Sequence, residues 1–360
     1  MEILKYMITQ KHLIPTGYLF TGKYSKGALE TLSIGDYGKQ YNVKADFLGF
    51  NDEIKGVPNT YCMPLSEKWV ITVSTQYGCA LGLDKVKTNQ NGCKFCSVPK
   101  VKFGGNATFD DLKQQLYNAI SLFSHKTKYT ERLNLHFARM GDPIFNDDVF
   151  TFAEWIYKNK LQIKADTGLS IEVIHPVLTT SLPKKYAKLE ERILKWCDIK
   201  NNLYNGQAGT QFSINSTDEA QRDYMFNGHQ LDLESFSKIA DKMPTPISRK
   251  YCLNFAYCTD YTIDANKIAN LFDKDKFMIK ITPIHNNPES ITNNIKTVGG
   301  YDSYTPYIKP EEDLKNAGFD VLVFVPSMDE EEGLVTCGNL ILGGGKLTSN
   351  PNTVLKIKGL

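Results

Sequence analysis

Three cysteines at the end of an apolar stretch carry the clearest chemistry. Ser74-Thr75-Gln76-Tyr77-Gly78-Cys79-Ala80-Leu81 leads into the first, and Cys93-Lys94-Phe95-Cys96 supplies the other two in C-x2-C spacing. Three thiolates from one loop can hold three irons of a [4Fe–4S] cluster and leave the fourth open to a small molecule. A C-x2-C pair is also half of a zinc knuckle, and a closed zinc site needs four protein ligands; the nearest fourth candidate is Cys62. The strand before the loop, the aromatic between the last two cysteines and the β-α series that follows favour the cluster. An open iron is the mark of an enzyme rather than a scaffold.

A loop of this kind needs a frame that fixes it. Residues 1 to about 65 are rich in tyrosine and glycine, with short β-like pieces at 17–20, 42–45 and 46–49, and read as a small β-rich lead-in. From residue 69 onward strand and helix signals alternate. Strands are predicted at 69–75, 133–137, 169–174, 210–215, 251–256 and 277–282. Amphipathic helices are predicted at 109–123, 148–158, 184–195, 233–242 and 265–272. Six such repeats point to an α/β fold, a parallel sheet curled into a partial (β/α)6 barrel over 66–290 with its site at the carboxyl ends of the strands. A C-terminal extension, 291–360, holds a loop and helix at 299–315 and a further strand at 319–325.

The 360 residues are 41% hydrophobic and 23% charged, enough for one large domain or a large and a small one. No apolar run reaches membrane-spanning length, and the first residues lack the plan of a signal peptide. A cytoplasmic, monomeric protein is the expectation. Eight cysteines (62, 79, 93, 96, 197, 252, 258 and 337) suit metal and sulfur chemistry better than disulfides in a reducing compartment. The net charge is +2, with lysines 85, 87, 94, 100 and 102 forming the one basic stretch beside the cysteines. That composition permits a nucleic-acid substrate without demanding one.

The sequence around the cysteines resembles the radical-SAM superfamily, and more closely the RlmN/Cfr family of adenine-carbon methyltransferases, from about residue 57 to 343. Ser74–Leu81 is similar to that family's approach to the cluster, and Cys93-Lys94-Phe95-Cys96-Ser97 to its closing pair. Phe103-Gly104-Gly105-Asn106 matches the stretch before the following helix. His136-Phe137-Ala138-Arg139-Met140-Gly141-Asp142-Pro143-Ile144-Phe145-Asn146 resembles the glycine–acid–proline segment after the second strand. Ser213-Ile214-Asn215 and Thr282-Pro283-Ile284-His285-Asn286 fall where family members touch SAM. Gly333-Leu334-Val335-Thr336-Cys337-Gly338-Asn339-Leu340 resembles the segment with the methyl-accepting cysteine.

The resemblance implies that Cys79, Cys93 and Cys96 bind a [4Fe–4S] cluster whose open iron chelates S-adenosylmethionine, and that reduction cleaves it to a 5′-deoxyadenosyl radical. An external electron donor of the flavodoxin type is implied with it. Gly141 and Asp142 would hold the methionine ammonium. Thr179, Ser213, Ile214 and Asn215 would bind carboxylate and ribose, and His285 or Asn286 the adenosyl group. Cys337 would carry a methyl group to an sp2 carbon of an RNA base or nucleotide.

Three features depart from that pattern. Thirteen residues, 80–92, separate Cys79 from Cys93 where the family has three. The position of the family's resolving cysteine is Thr72, and a hydroxyl does not replace a thiol near neutral pH. The family's late-acting base aligns with Asn59, which cannot accept the proton; the nearby Cys62 is a candidate to replace the thiol, against the reading of an ordinary half-buried cysteine. The family's N-terminal helical RNA-recognition domain is also missing from the reading. A divergent member follows, with retained radical chemistry and altered substrate-side residues. The competing readings are a radical-SAM enzyme of another reaction type, with Cys337 not a methyl carrier, and a non-catalytic zinc module.

Overall fold

The computed structural model describes residues 8–14, 16–36, 42–52, 54, 63–82, 92–124, 126–299, 303–326 and 339–342. Asn59, Cys62, Cys337 and most of the insertion after Cys79 lie outside them. The strands are β1 (Ile8–Ile14), β2 (Gly17–Tyr24), β3 (Gly27–Gly35), β4 (Val43–Lys44), β5 (Lys68–Val73), β6 (Gln76–Tyr77), β7 (Gly105–Asn106), β8 (Tyr129–Phe137), β9 (Ser170–Thr180), β10 (Gly209–Ser213), β11 (Tyr251–Tyr257), β12 (Phe277–Pro283) and β13 (Val321–Phe324).

Eleven of these strands make one mostly parallel sheet in the order β1-β2-β3-β5-β8-β9-β10-β11-β12-β13-β4, and β6 pairs with β7 beside it. From β5 to β13 every neighbouring pair is parallel and the spatial order follows the chain order. Helices fill the connections: Phe109–Ser121, Asp147–Lys158, Lys160–Thr167, Leu189–Asp198, Leu233–Lys242 and Ala265–Leu271 are the longer ones before β12. Phe109–Ser121 starts where the sequence tells it to. Thr108 accepts from the Asp111 N–H while the Asp111 carboxylate accepts from the Thr108 N–H, a reciprocal cap.

The two faces of the parallel strands differ. Trp69, Ile71 and Val73 of β5, Leu133, Leu135 and Phe137 of β8, Leu253 and Phe255 of β11, and Ile279 and Ile281 of β12 are all fully buried in the main core with the helices. Their alternating neighbours Thr72, Asn134, His136, Gln211, Asn254 and Lys280 are polar and half-buried. A parallel sheet covered on both faces reads as continuous apolar runs. Period-two alternation in parallel strands therefore means one covered face and one polar face, since successive side chains point to opposite sides.

The N-terminal strands belong to the same sheet. β1, β2 and β3 form an antiparallel meander, and β3 joins β5 antiparallel. β4 pairs antiparallel with β13 at the far side. Residues ahead of β5 thus flank the parallel set on both sides, so the expected boundary near residue 65 does not divide the sheet. The predicted β-piece at 46–49 is instead a 3-10 turn, Asp46–Leu48, ended by Gly49 at φ 79°. A bridge between Ala45 and Phe50 closes this turn and leaves it no partner strand. Among the described residues no helix is long and apolar enough to cross a membrane.

Candidate functional site: a three-thiol loop over the strand ends

The loop begins where β5 ends. Ser74, Thr75 and Gln76 are fully buried polar residues, so each must find partners within the protein. Gln115 meets both main-chain groups of Ser74, accepting from its N–H at 2.8 Å and donating to its carbonyl at 2.9 Å. The N–H groups of Thr75 and Gln76 donate to the Met140 carbonyl at 2.8 and 3.1 Å. Gln76 Nε2 donates to Asn106 at 2.8 Å, while its Oε1 accepts from the Ala80 N–H at 3.0 Å and the Asp142 N–H at 3.3 Å. The start of the cysteine loop is thereby bolted to the segment after β8. Gly141 makes this approach feasible: its φ is +83°, and a Cβ there would lie 2.4 Å from that of Gln76.

Cys79, Cys93 and Cys96 are half-buried and form no disulfide. Burial, first, and then the charges of Cys96, Cys79 and Asp142 push the Cys93 thiol well above the ordinary range. The structure thus brings Cys96, Cys79 and Asp142 within charge reach of Cys93. Among the described residues no three His, Cys, Asp or Glu side chains are grouped closely enough to hold a single metal ion.

The second half of the loop is docked on the connections that follow β10 and β12. The Lys94 N–H donates to the Met225 carbonyl at 2.9 Å, and the amides of Asn293 and Asn287 donate to the carbonyls of Lys94 and Phe95, each at 2.9 Å. Phe95 meets Phe226 edge-on, 5.5 Å between ring centres, and Lys94 Nζ stands 3.6 Å from the centre of the Tyr224 ring. Lys100 pairs with Glu289. The loop therefore bridges from β5 to the connections that follow β10 and β12.

Beneath the bridge is a cavity of about 390 Å³ lined by Phe95, Cys96 and Ser97 from the loop, Gln211 from β10, Asn254 and Ala256 from β11, and Lys280 and Thr282 from β12. Ile284, His285, Asn287, Phe324 and Pro326 complete the wall. All the strand residues among these lie on the polar face or at carboxyl ends.

Asp142 is buried, and four donors converge on it. Its Oδ2 accepts from the Thr180 hydroxyl at 3.0 Å and from the Ser181 N–H and hydroxyl at 2.8 Å each, and its Oδ1 accepts from the Ile144 N–H at 3.1 Å. Burial raises its pKa, and the donors of Ser181, Ile144 and Thr180 oppose the rise. A carboxylate offers about four accepting sites. Three of the four donors are on Oδ2, which ties the ends of β8 and β9 together, while Oδ1 accepts from Ile144 alone among these bonds.

The other predicted residues separate into two sets. Thr179 stands beside Gln211 in register, and Ser213 beside Asn254, which places both on the cavity side of the sheet. Ile214 and Asn215 are buried and committed internally. The Ile214 N–H donates to the Asn254 carbonyl at 2.8 Å, and Asn215, at φ +62°, accepts from the Ala256 N–H at 3.0 Å and donates to Met225 Sδ at 3.3 Å. His285 lines the cavity. Asn286 does not: it is exposed and accepts from the Thr297 N–H at 3.4 Å, so Asn287 takes the place expected of it. Gln211, Asn254, Lys280 and Asn287 were not singled out from sequence. The signal for Asn254 and Lys280 was present as one polar residue on the alternate face of each apolar strand.

Three imidazoles face this region, all held below their ordinary pKa. Burial, then Lys280, Lys68 and Arg249, brings His136 to about 3; burial, then Arg249, Arg132 and Lys68, brings His175 to about 4; burial, then Arg139, brings His285 to about 4. A histidine with a lowered folded pKa stays neutral where the unfolded chain takes up a proton, so its contribution is complete above pH 6.5 and is lost as pH falls towards the folded value. Each contributes a slope of up to about 1.4 kcal/mol per pH unit, roughly 4 kcal/mol per pH unit for the three together near pH 5. Asp142, whose shift has the opposite sign, offsets part of this at lower pH. Urea denaturation at pH 7, 6 and 5 is expected to show steadily falling stability, and a flat profile would contradict the assignment.

No protein-family model matches the chain, and no curated protein matches it at a significant level.

Proposed function

We propose that the chain is an enzyme of the radical-SAM type, a divergent relative of the RlmN/Cfr methyltransferases, with its seven parallel strands forming a partial barrel. Strand order that follows chain order, helices on one face and polar side chains on the other suit such a barrel, whose interior is the polar face. The observation that carries the reading is the three-thiol loop bridging from β5 to the connections after β10 and β12, with Cys96 lining a cavity walled by residues of β10, β11 and β12.

The donor set fits a [4Fe–4S] cluster held by Cys79, Cys93 and Cys96. The charges of Cys79 and Cys96 both act on Cys93, and three soft thiolates from one loop are the ligand set of a cluster with one open iron. A cluster there supplies the electron for reductive cleavage of S-adenosylmethionine. The chain's own residues set the stage for it. Gln76 and Gly141 hold the cysteine loop against the Asp142 turn, and Phe95 and Phe324 offer apolar wall for a planar ring. Lys280 places a positive charge on the cavity wall. A phosphate-bearing substrate, a nucleotide or RNA base, matches it.

Anaerobic reconstitution tests the reading. The expected results are about four irons per chain, 5′-deoxyadenosine formed from S-adenosylmethionine under reduction, and a methyl group on Cys337 by mass spectrometry. A colourless protein containing zinc and no iron would overturn it. Thr72, a hydroxyl on the polar face beside His136, favours one second reading, in which the radical acts directly on substrate. Full turnover by Cys337→Ala selects that reading, and loss of turnover with cofactor cleavage retained selects methyl transfer.

A further inference from the structure

We propose that Glu30 is a positioning residue that fixes residues 339–342 against β3, beside the start of the cysteine loop, through the main chain of Ile341. Glu30 lies on β3, in the N-terminal meander, and is fully buried. Its Oε2 accepts from Arg139 Nε at 3.2 Å and is 3.1 Å from the second guanidinium nitrogen, while its Oε1 accepts from the Ile341 N–H at 2.9 Å. Its carbonyl accepts from the Ser74 hydroxyl at 2.6 Å, directly ahead of the cysteine loop.

One residue thus joins three parts of the chain that are far apart in sequence. Arg139 belongs to the segment that leads to Gly141 and Asp142; its N–H donates to the Val73 carbonyl at 3.1 Å, and its charge reaches His285 in the cavity wall. Ile341 belongs to the short helix Asn339–Leu342, which lies against β2 and β3. A buried charge pair is no more stabilising than apolar residues of the same size. What it adds here is direction, because one carboxylate oxygen meets the guanidinium and the other meets a main-chain N–H. Cys337 is outside the described residues, two positions before Asn339 in the sequence. The placement of Asn339–Leu342 is therefore the nearest described constraint on it. The role of that constraint in methyl transfer rests on the function proposed above; the anchoring itself does not.

Two variants of the full-length reconstituted protein remove the oxygen that meets Ile341 in different ways. Glu30→Asp keeps the charge beside Arg139 but shortens the side chain by one methylene; Glu30→Gln keeps the length but has one accepting oxygen, which the Arg139 guanidinium takes, so that the amide NH2 faces the Ile341 N–H. Hydrogen exchange of residues 339–342 is expected to speed up about tenfold in both variants, with iron content unchanged. Methyl occupancy of Cys337 is expected to fall in both. Unchanged exchange of residues 339–342 in a folded Glu30→Asp or Glu30→Gln protein overturns the proposal. Faster exchange in Glu30→Asp together with a parent protein that never carries methyl on Cys337 upholds the anchor and removes the methyl-transfer reading.

Discussion

Replacing Cys96 with alanine is expected to leave a folded, colourless protein that retains no iron and forms no 5′-deoxyadenosine. The fold survives because the loop is held by other groups: Lys94 on Met225, Phe95 on Phe226, and Asn287 on the Phe95 carbonyl. The cluster does not, because three thiols are the whole of its protein ligation and losing one leaves two irons in need of outside ligands. The control is Cys197→Ala. Burial pushes the Cys197 thiol up to about 11, and it lies in the main core, so it stays protonated and takes no part in metal binding. Iron content and the visible absorbance of the reconstituted proteins measure both. Normal iron in the Cys96→Ala protein, or its loss in the Cys197→Ala protein, would remove the three-thiol assignment.

Replacing Asp142 with alanine is expected to lower global stability by about 3–5 kcal/mol, since donors buried around a removed charged partner are left without an acceptor. Four donors are affected, two of them main-chain N–H groups that cannot turn elsewhere. Asp142→Asn is expected to fall between the parent and alanine. Its remaining oxygen can serve Ile144, and the hydroxyls of Thr180 and Ser181 can rotate to accept from the new amide, but the Ser181 N–H then faces a donor. Urea denaturation reads the order. A Cys93 thiol relieved of the Asp142 charge would also titrate lower in Asp142→Asn, a readout that a loss of packing alone does not produce. Parent-like stability for Asp142→Ala would mean that the four contacts carry little.

Much of the fold was legible because its signal is local. The alternation of Trp69, Ile71 and Val73 with half-buried neighbours, and the matching pattern in β8, β11 and β12, marks strands whatever lies around them. The chemistry of Cys79, Cys93 and Cys96 was legible for a related reason: ligand type and spacing are properties of a short segment. The less legible parts depend on partners distant in sequence. β4 is two residues long and becomes a strand only because β13 is there to pair with it. The β-like piece at 46–49 had the composition of a strand but no neighbour, and it folded as a turn. Asn286 and Asn287 differ in role only through the start of helix Pro288–Thr292, where Asn287 caps Glu289 and Ser290 with Oδ1 and its Nδ2 reaches Phe95.

By itself the sequence determined an α/β chain with strands and helices in alternation and three thiols on one loop after the first parallel strand. These follow from side-chain periodicity and from the identity of soft donors, neither of which needs a tertiary context. Only the tertiary structure decided where those thiols stand and what surrounds them. It set the loop across a cavity between β10, β11 and β12, turned Asp142 into a four-donor brace, and brought Glu30, Arg139 and Ile341 to one buried point. The reason is the length scale of each term. Propensity and alternation act within a few residues, whereas a buried polar group must be satisfied by whatever the fold brings within 3 Å.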